Sequence, residues 1–106
     1  MGMATVKPMQ LSDTGFLRKL RAIALDSDRV VLTPHAKRRM RERRINMRQV
    51  LNCVRHGRIA EPAHLTIYGD WKATVEHQYA GERVSVAVAI ECQEDGELAV
   101  VVTVMD

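Results

Sequence analysis

The sequence predicts an α+β domain in which N-terminal helices pack on a mostly antiparallel sheet of four to five strands. Three observations carry this expectation. Up to Gly57, apolar residues recur at helical spacing, as in Met47, Val50, Leu51 and Val54. Beyond it they alternate, as in Val84, Val86, Val88 and Ile90. Turn and cap signals punctuate both halves, with Thr33-Pro34 ahead of a helix and "EDGE" between two strands. A length of 106 residues suits one domain with a modest core.

Each element follows from its own residues. Residues 1–10, "MGMATVKPMQ", have no periodicity and read as a flexible leader, leaving residues 11–106 for the domain. Leu17, Leu20 and Ile23 (or Ala24) define a first helix, with Asp13 or Thr14 as its cap. Residues 30–32 form a short strand. Thr33 can cap the free N–H groups of a second helix, and Pro34 fits its first position, so this helix runs over about residues 34–43. Asn46 and Gln49 form a capping arrangement for a third, amphipathic helix closed by Gly57. His56 lies in its last turn and reads as structural.

The strands follow. Residues 64–68 read as a strand turned by Gly69-Asp70. Residues 71–79 alternate, with Trp71, Ala73, Val75, His77 and Tyr79 on one face. The last strand alternates between Leu98, Val100, Val102, Val104 and Ala99, Val101, Thr103, Met105. Strands with small or apolar residues on both faces read as central.

Charge is unevenly distributed. Net charge is only +3, yet residues 29–58 hold ten Lys/Arg against Glu42, whereas residues 71–106 hold two basic and seven acidic residues. One basic face for a polyanion is the expectation. No apolar run is long enough to span a bilayer and no secretory signal is visible. Cys53 and Cys92 lack metal-ligand spacing and read as reduced, buried thiols of a cytoplasmic protein, although one disulfide would also fit. Zinc spacings, phosphate-cradling glycine loops and serine elbows are missing, so no metal or nucleotide cofactor is expected.

The stretch "TPHAKRRMRERRI" concentrates the chemistry. Four-residue steps drift by only about 40° around a helix, so His35, Arg39 and Arg43 form one stripe. Ala36 and Met40 flank it toward the core. Arg38 is placed to pair with Glu42 at i+4. Lys37, Arg38, Arg41 and Arg44, with Arg48 beyond, form an outward field for nucleic-acid phosphates or for plain solvation. His35 sits beside free backbone N–H groups, a natural phosphate site. It fits a general base or hydrogen-bond donor, and equally a histidine that packs at the sheet edge. His77 fits a core histidine as well as a ligand or acid. Tyr68, Trp71 and Tyr79 fit core plugs or stacking platforms for bases.

The segment "HAKRRMRERRI" resembles the HAxxRMxERxI signature of the domain-of-unknown-function 4258 family, through His35, Ala36, Arg39, Met40, Glu42, Arg43 and Ile45. "LTP", "VLNCVRHGRIAEP" and "ELAVVVTVMD" extend the resemblance over about residues 29–106. Arg44 departs from it, since the family often has Gly there. The resemblance implies a RelE/ParE-like fold with a curved sheet, in a group that includes ribonuclease toxins and gyrase poisons. It implies a metal-independent ribonuclease or RNA-binding protein. His35 would move a proton. Arg39 and Arg43 would hold phosphoryl oxygens, and His77 or Thr103 would orient substrate or protonate the leaving oxygen. RNA and an antitoxin, or another acidic protein, are the implied partners. A non-catalytic protein-binding module or inhibitor with the same basic face is the alternative.

Overall fold

The protein was analysed as a computed structural model, which describes residues 11–105; the expected leader therefore lies outside the described residues. The chain runs α1 (Asp13–Ala24), a 3-10 turn (Ser27–Arg29), β1 (Val30–Leu32), α2 (Pro34–Arg43), α3 (Met47–His56), β2 (Arg58–Leu65), β3 (Trp71–Tyr79), β4 (Glu82–Gln93) and β5 (Gly96–Met105). The five strands form one open sheet in the order β1-β5-β4-β3-β2. Only the β1–β5 pair is parallel; the others are antiparallel. The α+β expectation holds.

The core lies between the helices and one face of the sheet. Phe16, Leu20 and Ala24 of α1, Ala36 of α2 and Val50 and Val54 of α3 are buried against Val75, Val86, Val88, Val101 and Val104. The face of β4 expected inward is therefore inward. α1 and α3 are clipped at their ends. Arg55 Nε donates to the Ala24 carbonyl at 2.7 Å, and Arg21 Nη2 donates to the Gly57 carbonyl at 2.9 Å. Both bonds satisfy carbonyls that helix ends leave open. Gly57 admits no side chain: a Cβ there would stand 2.4 Å from the Cys53 carbonyl oxygen and 2.6 Å from Val75 Cγ1.

Four expectations require correction. The cap of α1 is Ser12, whose hydroxyl accepts from the Gly15 amide at 3.0 Å, rather than Asp13 or Thr14; the Asp13 carboxylate instead accepts from Ala63 N of β2 at 2.9 Å. The strand expected at residues 64–68 occupies Arg58–Leu65. It is an edge strand with register shifts around Glu61, so its exposure does not alternate and no period-two signal reaches the sequence. In β5 the alternation breaks, because a register shift opposite Ala87/Val88 makes Val102 an extra residue. Ala99, Val101 and Val104 consequently share the buried face. Both thiols are free, but Cys92 is exposed while Cys53 is buried.

Candidate functional site

The basic helix is built from its N-terminus outward. Thr33 N donates to the Val101 carbonyl at 3.1 Å, while its hydroxyl donates to the Val102 carbonyl at 2.8 Å and accepts from Ala36 N at 3.0 Å. The bulge of β5 thus turns two successive carbonyls toward the cap residue. Pro34 supplies the first helical position, and Ala36 is fully buried. These contacts hold α2 against the sheet beyond the end of β1.

The exit of α2 is a Schellman motif. Ile45 N donates to the Met40 carbonyl at 2.9 Å and Arg44 N to that of Arg41 at 3.4 Å. Ile45 is buried and Met40 packs against the core, the apolar contact that accompanies this motif. The left-handed position, φ 57°, is occupied by Arg44 rather than glycine. Arginine there carries a backbone cost of about 1–2 kcal/mol.

The stripe residues differ from one another. His35 and Arg43 are exposed, and Arg39 is half-buried. Glu42 pairs with Arg39 at i−3, Nη1 to Oε1 3.3 Å, and not with Arg38 as the i+4 spacing predicted. Both spacings bring helix side chains together. Arg39 lies at the apolar boundary with only 28% of its side chain exposed, within reach of Glu42, whereas Arg38 faces outward. Lys37, Arg41, Arg44 and Arg48 are exposed, as expected of the outer field.

The sheet residues proposed to assist the stripe lie on opposite faces. Thr103 pairs through Ala87 to Thr74 and Glu61 in one cross-strand row. Thr74 donates to Glu61 at 2.6 Å, and this row lines a cleft of about 480 Å³ with His64 and Lys72. His77 is paired with Val84 on the helix-covered face. Its ring lies 6.2 Å from that of His56 and, nearly parallel, 6.4 Å from that of Tyr79. Neither the cleft containing Thr103 nor those containing His77 is lined by a residue of α2. His35, Arg39 and Arg43 share α2, and none of these three clefts joins them to Thr103 or His77.

Elsewhere, Cys53 Sγ lies 3.3 Å from the Val75 carbonyl, and burial pushes its thiol up to about 12. This is a packed, protonated sulfur, unsuited to nucleophilic chemistry. Among the described residues no group of three His, Cys, Asp or Glu could hold a metal ion, and no helix is long and apolar enough to cross a membrane. Trp71 is a half-buried plug against the core, whereas Tyr68 and Tyr79 are exposed. Sequence reasoning missed one grouping: Asn52, on the outer side of α3, meets His77 and Tyr79 across a cleft, a convergence that no local spacing signals.

The fold and basic helix define a small α+β domain with a helix-borne cationic face. Residues 32–106 match the family described as Domain of unknown function (DUF4258), and the chain belongs to that family. Comparisons with curated proteins and with solved structures each returned no match.

Proposed function

We propose that this domain acts on RNA, with α2 meeting the phosphate backbone, and that its action is a toxin-like, metal-independent cleavage. The observation that carries the reading is the anchored cap of α2. Thr33 fixes the helix N-terminus to the β5 bulge, so His35 and the cations behind it project from a rigid element. With Pro34 lacking an N–H, Ala36 N capped by Thr33 and Lys37 N bonded to the Thr33 carbonyl, the His35 N–H is the first-turn donor left for a phosphate. The RelE/ParE-like resemblance of the motif supports the same chemistry.

In this scheme a ribose 2′-oxygen attacks the adjacent phosphorus, the bond to the 5′-oxygen breaks, and a 2′,3′-cyclic phosphate results. His35 accepts the 2′-OH proton, and water protonates the departing oxygen. Arg39 and Arg43, each exchanging its present partner for phosphate, stabilise charge on the phosphoryl oxygens. DNA, lacking the 2′-OH, is bound but not cut. The test is incubation of purified protein with RNA in chelator. Wild type should release cyclic-phosphate ends, and His35→Ala should cut at least about a hundredfold more slowly. Intact RNA with wild type, or equal cutting by His35→Ala, overturns the cleavage. Wild type that binds an acidic protein but no RNA would favour the protein-binding alternative.

A further inference from the structure

We infer that the groove between α3 and the β3–β4 hairpin is a seat for an unpaired nucleobase, reached from the cationic face of α2. The inference rests on the RNA reading above and adds where, and by what contacts, a base is held. Two clefts of about 250 and 280 Å³ meet at His77. Their walls are the outer side of α3, with Asn52 and His56, and the end of β3, with His77 and Tyr79.

The chemistry of this groove is that of base recognition. Tyr79 is 73% exposed, and the His77 ring lies nearly parallel to its ring with centroids 6.4 Å apart. An exposed aromatic face of this kind stacks on any base. Asn52 and His77 are both half-buried, and neither side chain has a hydrogen-bonding partner among the described residues. An amide offers both a donor and an acceptor to a base edge. The acidic side chains nearby are already engaged: Gln49 Nε2 donates to Glu82 at 3.0 Å, and Arg58 pairs with Glu76 at 3.4 Å. Arg48 lies exposed at one rim, and Arg58, in its pair with Glu76, lies exposed at the other.

Chain connectivity supplies the path. Arg44 ends the basic helix, and Asn46 and Arg48 at the start of α3 already line the groove. A strand whose phosphates follow α2 arrives at this groove with its bases unpaired. Duplex RNA would present no free base face here, so single strands are the preferred ligand.

The experiment measures anisotropy of a short labelled 2′-O-methyl oligoribonucleotide, which the proposed attack cannot cleave, beside the same oligomer made abasic. Tyr79→Ala should weaken binding of the base-bearing strand by about five- to a hundredfold, and Tyr79→Phe by no more than about twofold. Asn52→Ala should reduce discrimination among bases. The abasic strand should bind weakly and ignore Tyr79→Ala. Wild-type affinity in Tyr79→Ala, or equal binding of abasic and base-bearing strands, overturns the base seat. If Arg43→Ala still weakens binding in that case, the phosphate reading survives alone. Wild type that binds neither strand overturns both.

Discussion

The Thr33 hydroxyl donates to the Val102 carbonyl at 2.8 Å while accepting from the Ala36 amide at 3.0 Å. One side chain thus closes a helix N-terminus and occupies a carbonyl that the β5 bulge has turned out of the ladder. Thr33→Val keeps the shape and loses both bonds. We expect a loss of about 1–3 kcal/mol in urea unfolding, since the cap and the stranded carbonyl both contribute. Thr33→Ser should recover most of it. Equal stability of the Val variant and wild type would show that the cap does not anchor α2.

Arg44 at φ 57° sets stability against charge. Arg44→Gly should raise unfolding free energy by about 1 kcal/mol, because glycine adopts this backbone without Cβ crowding. The same change should weaken RNA binding and make the salt slope shallower by about one unit if this guanidinium meets a phosphate. Thermal unfolding and salt-dependent binding therefore move in opposite directions. A destabilised Gly variant would contradict the strain argument.

The two cysteines should separate chemically. With Cys53 buried and Cys92 exposed, a thiol reagent should modify one sulfur in the native state and two after denaturation. Burial raises Cys53 from 9.0 to about 12, so the native state keeps its proton longer than the unfolded chain does. The associated stability is whole below pH 9 and is lost as pH rises toward 12. Urea midpoints should fall across that window, and less steeply in Cys53→Ala. Identical slopes for the two proteins would exclude the thiol as the cause.

Local signals made much of this architecture legible. Thr33-Pro34 and the Asn46/Gln49 capping box place the starts of α2 and α3, because caps are made between near neighbours. Val84, Val86, Val88 and Ile90 reveal the inner face of β4, which is buried along its length. Nonlocal features were hidden. β2 is an irregular edge, and the β5 bulge exists to meet Thr33, far away in the chain. The candidate site divides in the same way. The stripe of His35, Arg39 and Arg43 follows from helical spacing alone, although Glu42's choice of Arg39 depends on how deep each side chain sits. That Thr103 and His77 occupy opposite faces follows only from register across three strands. Likewise, the meeting of Asn52 with Tyr79 requires α3 to be docked on the sheet.

The reciprocal clip between α1 and α3 bears on where this domain can be divided. The family match starts at Leu32, yet Arg55 reaches back to Ala24, and Arg21 reaches forward to Gly57. Phe16 and Leu20 supply fully buried side chains from outside the matched segment. A fragment cut at the family boundary would therefore expose a greasy trough along α3, with one arginine and one glycine carbonyl left reaching for absent mates. A separate peptide covering residues 11–31 carries the complementary pieces, so the two halves form a natural pair for reassembly in trans.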